Sequence, residues 1–399
     1  MHFACSIYKI TCILLTGISC CFLSTSEYAA FAQSKMKPGL LTISEPLPKA
    51  FSLPNAGRSL RITYLSTNGV TGNGVVSVTA EVILPTGKAP IGGWPIVAWA
   101  HGTVGVSDSC TPSNNPWTER NSHYLSEWMR RGFAIVATDY QGLGTSLPHP
   151  YLNTRAEAYS LLDAVRAALS SVPNLKNKIM IVGQSQGGGA AVASAAFAPE
   201  YAPELDIQGV VATGTPYMTP ELLKQMTTPS ANEQKNASYN PMVVYSLYLA
   251  QGFAGYNPDF KPETIFTYRA MPAYRAAAKL CVAPLSTKVK KEGLNFSNSL
   301  KPDFAKTIEP ALAAMRYPTL KLKYPLFIGI GELDQDVPPA LQFALVKAVC
   351  TAGTTVQVHI YKGLDHSQTV NSSLLDSAIF TTAVMQGQTI SSQCDLIPK

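Results

Sequence analysis

An apolar run, Ile179-Met180-Ile181-Val182, passes through Gly183-Gln184-Ser185-Gln186-Gly187 into the small residues Gly188-Gly189-Ala190-Ala191-Val192-Ala193. No other stretch restricts the fold as much. A serine with glycine two positions away on either side fits the apex of a sharp strand-to-helix turn, where the serine backbone is strained and flanking side chains would collide. The apolar residues before it suit a buried parallel strand, and the small residues after it suit a helix packed closely on a sheet. At such a turn Ser185 would point its hydroxyl into open space beside a helix N-terminus, whose unpaired N–H groups and positive dipole end favour a developing negative charge. The stretch predicts an α/β architecture with Ser185 as a candidate nucleophile. The duller reading is a glycine-rich turn that happens to hold a serine.

Size and composition agree with such a fold. A chain of 399 residues, 46% hydrophobic and 14% charged, suits one large globular domain carrying an insertion. The formal charge of +6 is spread along the chain. Its one tight basic cluster, Lys288, Lys290 and Lys291, lacks any accompanying nucleic-acid motif and reads as a solvated face. At the N-terminus, Lys9, an apolar segment over residues 10–23 and Ala30-Phe31-Ala32 follow the order of a secretory signal peptide, residues 1–32, cleaved near Ala32. The segment is too short for a membrane span. A lipoprotein anchored at Cys20 or Cys21 is the alternative, without a convincing lipobox.

Four of the eight cysteines lie in that leader, and an even four remain: Cys110, Cys281, Cys350 and Cys394. In an exported protein these read as disulfides, with three pairings open. Cys110 with Cys281 and Cys350 with Cys394 is preferred, joining a loop near the serine to the insertion and the tail to a late helix. No zinc knuckle fits these spacings.

Residues 61–66 and 75–85 read as strands joined by the turn Thr71-Gly72-Asn73-Gly74, and alternation over residues 76–82 suggests a half-exposed antiparallel edge. Residues 95–100 are a buried strand ending in His101-Gly102-Thr103. In acyl transfer such a loop supplies one backbone N–H to the oxyanion and the residue after the nucleophile supplies the other, which assigns the pair to Thr103 and Gln186. His101 is expected to orient this loop. Residues 133–140 form another buried strand, and 154–170, apolar at helical spacing, a crossover helix. Asp139, at a strand end, precedes the serine and is expected to be structural, because in this architecture the acid follows it.

After a strand at 207–216 the next comparable one, 324–331, comes about 110 residues later, far too long for a simple connection. A helical cap over residues 217–319 is expected there, with the core in 33–216 and 320–399. Its helical patterns cover 220–226, 241–251, 271–279 and 303–316. Residues 239–250 are apolar nearly all round, which suits either an acyl pocket or a seam between cap and core.

The strand ending at Gly331 delivers Glu332, Asp334 and Asp336. A tight turn with Val337 and Pro338 following, and Pro339 opening a helix, favours Asp334 as the acid, with Asp336 in reserve and Glu332 after it. A helix at 339–352 and a strand at 356–361 lead to a loop holding His366, downstream of both serine and acid, where a general base belongs. His359 alternates within the strand and is expected to pack there; His123 and His149 fit no role.

A serine hydroxyl is a poor nucleophile near neutral pH unless a base takes its proton during attack. His366 would do so, with Asp334 fixing its tautomer and the two N–H groups stabilising the tetrahedral intermediate, giving an acyl-enzyme route that needs no metal or organic cofactor.

The ordered set His101-Gly102-Thr103, Asp139-Tyr140-x-Gly142, Gly183-x-Ser185-x-Gly187, Asp334-x-x-Val337-Pro338 and His366 resembles the α/β-hydrolase superfamily. Residues Ala98-Trp99-Ala100-His101-Gly102-Thr103, then Asp108-x-Cys110-x-Pro112-Ser113, and Leu161-Leu162-Asp163-Ala164-Val165-Arg166 resemble the secretory lipase family, with its lipase A-type members and bacterial relatives. The resemblance implies a mostly parallel sheet with helices on both faces, a helical cap inserted before the acid-bearing strand, and a secreted carboxylic-ester hydrolase. Its partners would be ester or lipid substrates and, transiently, a lipid interface, with no nucleic acid and no obligate protein partner. One departure is that Gln184 and Gln186 flank the serine where many lipases carry an aromatic residue or histidine and then glycine, so acyl-chain preference does not carry over. A peptidase or acyltransferase on the same triad, and a non-catalytic binding protein on this fold, are the other classes open to such a sequence.

Overall fold

The computed structural model describes residues 36–219, 221–223 and 239–396. The expected signal peptide and the two candidate lipoprotein cysteines lie outside the described residues, as does most of the helix expected over 220–226.

Three strands come first, β1 (Leu41–Pro46), β2 (Ala56–Thr67) and β3 (Val75–Pro85), paired antiparallel in succession. Six more follow: β4 (Trp94–Ala100), β5 (Ala134–Thr138), β6 (Leu175–Gln184), β7 (Ile207–Thr213), β8 (Leu326–Gly331) and β9 (Val356–Tyr361). Neighbours among these six run parallel, and the nine make one sheet in the order β1-β2-β3-β5-β4-β6-β7-β8-β9. The edge strand β1 was not read from the sequence: its alternation, Leu41-Thr42-Ile43-Ser44, is only four residues long, and most of its side chains are exposed.

β3 is a correction to the sequence reading. It is not a half-exposed edge but lies between β2 and β5, buried from Val78 to Leu84. Its polar positions are covered by specific partners: Thr79 Oγ1 donates to Asp139, and Glu81 accepts from Trp117 Nε1 at 3.2 Å. Alternation marked two faces correctly, but the second face meets protein instead of water.

Successive side chains on a strand point to opposite faces, and the central strands are apolar on both. Ile96, Ala98 and Ala100 of β4 join one core with helices α2 (Thr154–Ser171) and α3 (Gln186–Tyr201). Val97 and Trp99 join the other core with α1 (Glu119–Arg130), whose buried Tyr124, Leu125, Trp128 and Met129 form its inner face. This is the α/β arrangement expected, helices covering both faces.

Between β7 and β8 the described chain adds helices to the fold, chiefly α4 (Met242–Tyr256), α5 (Met271–Ala277) and α6 (Val282–Lys291). They share an apolar cluster of their own, with Leu247, Phe266, Leu285 and Phe304. The single helix expected over 303–316 is two short ones, Phe304–Thr307 and Glu309–Ala314, because Pro310 has no N–H to continue the ladder. After β8 come α7 (Pro339–Thr351) and, after β9, α8 (Leu374–Met385). Disulfides join Cys110 to Cys281 and Cys350 to Cys394. Among the described residues no helix is long and apolar enough to cross a membrane.

Candidate active site

The turn from β6 into α3 has steric reasons for both of its glycines. A Cβ on Gly183 would lie 1.9 Å from the carbonyl oxygen of Gly187, and a Cβ on Gly187 would lie 1.9 Å from that of Ala100. Ser185 between them takes φ 60° and ψ −125°, a left-handed conformation that costs a non-glycine residue about 1–3 kcal/mol and is held by the surrounding packing. Its N–H donates to Thr213 O at 2.8 Å, fixing the elbow to β7. The Gln186 N–H that follows is the first of α3 and has no acceptor within the helix.

His366 reaches this elbow from the loop after β9. Gly214, at φ +58°, makes room for it: a Cβ there would come within 2.6 Å of the imidazole Cε1. Nδ1 of His366 lies 2.6 Å from Asp334 Oδ2, and both side chains are buried. The carboxylate is fully engaged. Oδ2 also accepts from Gln342 Nε2 at 2.9 Å, while Oδ1 accepts the N–H groups of Asp336 and Val337 at 3.0 and 2.8 Å. A carboxylate in these bonds only accepts, so Nδ1 carries the proton and Nε2 presents a lone pair.

The other two acids are turned elsewhere. Asp336 accepts from the hydroxyl of Tyr245 on α4, and Glu332 accepts the Gly363 N–H at 2.9 Å. Asp139 is buried at the far end of the His-Gly loop, where it accepts the Ser113 N–H at 2.9 Å and the hydroxyls of Ser113 and Thr79; burial raises its carboxyl to about 6. His101 is a loop anchor. Its Nδ1 lies 2.8 Å from Gly102 O and its Nε2 3.3 Å from Asp139 O, and burial depresses it to about 4. His359, in β9, stacks on Phe327 of β8.

Two participants carried no signal in the sequence. The Nε2 of His366 is met at 2.8 Å by the side-chain amide of Gln184, whose Oε1 accepts from Arg120 of α1 at 3.1 Å. Arg120 only donates, so the amide nitrogen must face the imidazole. Among the described residues, Ser185 Oγ itself makes no hydrogen bond. Arg120 belongs to none of the motifs and lies 64 residues before Gln184, and only folding brings it here.

Ser185 borders two cavities, one apolar and one of mixed lining. One, about 80 Å³, is apolar and lined by Met218, Met242, Leu249, Phe304, Leu312 and Leu341 among others. The second, about 450 Å³, carries Thr103, Asn115, Arg120, Gln184, Asp336 and His366. Residues 239–250 turn apolar side chains in two directions. Met242, Tyr245 and Leu249 of α4 face the apolar cavity, while Val243, Leu247 and Tyr248 pack into the cluster of inserted helices. Among the described residues no cluster of histidine, cysteine or acidic side chains has the makings of a metal site.

Residues 115–228 match the family model described as secretory lipase. A probable inactive lipase of Mycobacterium tuberculosis is 30% identical over 188 residues, 44% of this chain and 41% of that protein. Lipase A of Moesziomyces aphidis is 22% identical over 392 residues, covering 88% of this chain and 77% of its own. Among solved structures, Candida antarctica lipase A in its closed state superposes with a TM-score of 0.73 at 21% identity, over 92% of this chain and 87% of that one. A rice cell wall degrading esterase of Xanthomonas oryzae superposes with a TM-score of 0.65 at 19% identity, over 88% of this chain and all of its own (100%).

Proposed function

We propose that this chain, which matches the secretory lipase model over residues 115–228 and shares its fold with lipase A, is a secreted serine carboxylic-ester hydrolase of that family. The observation that carries the reading is the buried pair of His366 and Asp334, 2.6 Å apart, beside a strained serine at a helix N-terminus. Ser185 attacks the ester carbonyl while His366 Nε2 takes its proton, which requires the Gln184 amide to yield its place on that nitrogen. Asp334 stabilises the imidazolium, and the N–H groups of Thr103 and Gln186 receive the oxyanion. The ester C–O bond then breaks and the alcohol leaves with the proton returned by His366; water, deprotonated in turn by His366, attacks the acyl-enzyme and frees Ser185 and the carboxylic acid.

The two cavities give the halves of the substrate different surroundings. The apolar one suits the acyl part, and the larger one, whose lining mixes polar and apolar side chains, suits the departing alcohol. The described helices between β7 and β8 act as a cap over the serine. Two disulfides and the N-terminal sequence support export, with residues 1–32 as the signal peptide.

The test is hydrolysis of p-nitrophenyl esters from acetate to palmitate by the protein lacking residues 1–32, beside Ser185→Ala. The wild type should turn over and the variant should lose at least about 10⁴-fold in kcat. A wild type inert toward every ester would remove the hydrolase reading.

A further inference from the structure

We propose that residues 149–157 form a clamp that positions both oxyanion donors through their side chains, with Glu157 and Tyr151 as its two positioning residues. The proposal rests on the hydrolase reading above, since Thr103 and Gln186 matter here only as carriers of the two N–H groups.

Gln186 is almost wholly buried, although the first residue after the nucleophile needs no side chain to present its N–H. Its amide nitrogen lies 2.8 Å from Glu157 Oε1 and 3.3 Å from His149 Nε2. His149 is held by Nδ1, 2.8 Å from Gln141 O; that nitrogen donates, which leaves Nε2 as an acceptor. Both amide hydrogens of Gln186 therefore have acceptors, and a flipped amide would aim its oxygen at two of them.

The same carboxyl reaches the other donor. Glu157 Oε1 also accepts the N–H of Leu152 at 3.1 Å, and Leu152 is held there at φ 63°, a left-handed conformation that a leucine rarely takes. The residue before it, Tyr151, places its hydroxyl 2.6 Å from Thr103 Oγ1. One short segment thus grips Thr103 on the His-Gly loop and Gln186 on the elbow, which come from different strands and share no direct side-chain hydrogen bond. Burying a carboxyl, an imidazole and an amide together costs free energy that apolar packing would avoid. What the arrangement supplies is a fixed distance and angle between two N–H groups that must converge on one oxygen.

Among the described residues the titratable groups around Glu157 are His149 and Tyr151 of its own segment, Tyr140 after β5 and Tyr317 before β8, and no cation of theirs faces it. Burial raises Glu157 to about 8 and depresses His149 to about 4, so both are neutral around pH 7. Above pH 8 a carboxylate would stand one side chain away from the forming oxyanion and oppose it.

The experiment measures kcat and KM on a short-chain p-nitrophenyl ester from pH 6 to 10, with thermal unfolding, for the wild type, Glu157→Leu, Glu157→Gln and Tyr151→Phe. Glu157→Leu should lose about 10- to 100-fold in kcat with KM changed less than about threefold, the signature of misplaced donors. Glu157→Gln mimics the protonated acid; it should recover most of that kcat and lose the decline above pH 8. Tyr151→Phe should lower kcat about tenfold or less by freeing Thr103. A folded Glu157→Leu with wild-type kcat, or a Glu157→Gln as impaired as Glu157→Leu, would overturn the clamp. If Glu157→Leu does not fold, the other two variants decide by the same criteria. An inert wild type removes the hydrolase reading and the clamp with it, whereas an active wild type with unaffected variants removes the clamp alone.

Discussion

Gly183 and Gly187 are the residues on which the elbow turns, because each would drive a Cβ into backbone that cannot move aside. Gly187→Ala should therefore destabilise the fold by at least about 1–3 kcal/mol, read as a lower denaturant midpoint; unchanged stability would mean that the elbow is looser than its contacts imply. Asp334 and Asp336 lie two residues apart and separate cleanly. Asp334→Asn should lower kcat by about 10⁴-fold through loss of the correct tautomer, and Asp336→Asn by less than about tenfold. The reverse order would move the acid to Asp336. Ser185, Asp334 and His366 were legible as candidates because their chain order and their flanking glycines and prolines carry local backbone requirements. Arg120 and Gln184 were not, since nothing local to either requires the contact between them; it exists only because α1 packs beside the elbow.

Among the elements, the two best read were the buried strands and the crossover helix, whose apolar runs and spacing leave few alternatives. α1 was missed although Tyr124, Leu125, Trp128 and Met129 recur at helical spacing and Thr118 caps it by accepting the Asn121 N–H at 3.3 Å. Its charged outer face completes that amphipathic pattern, so the signal was present in the sequence. α6 carries a weaker one, with only Leu285 and Val289 buried. The disulfide from Cys110 to Cys281 ties the start of α6 to the loop after β4, where Val282 N–H also donates to Val104 O at 2.8 Å. Replacing both cysteines by serine should cost about 2–4 kcal/mol, since the bond closes a long loop, and should raise KM by loosening the helices beside Ser185. Stability equal to that of the wild type would show that the apolar cluster alone holds the insertion in place.

Across the whole molecule, buried neutral groups pull stability in opposite directions with pH. His101 and His149, depressed to about 4, favour the fold near neutrality, and that contribution is lost as pH falls from the ordinary histidine value through 4. Asp139 and Glu157, raised to about 6 and 8, favour it in acid, and that contribution is lost as pH rises from the ordinary carboxyl range through those values. Glu157→Gln removes one acid from this balance. Relative to the wild type it should gain ~1 kcal/mol per pH unit between about pH 5 and 8; parallel stability curves would show that Glu157 does not titrate in that range.

The sequence by itself determined the nucleophile elbow, the succession of buried strands and crossover helices, and the order of candidate serine, acid and base, because glycine spacing, apolar periodicity and proline placement are local demands on the backbone. Only the tertiary structure decided that β3 is interior, that α4 both lines a cavity and packs into the cluster of inserted helices, and that Gln184, Arg120, Glu157 and Tyr151 converge around Ser185. Those facts are distances between segments far apart in the chain. They are set by how the sheet twists and the helices pack, and a polar residue buried by that packing looks no different in sequence from one left in water.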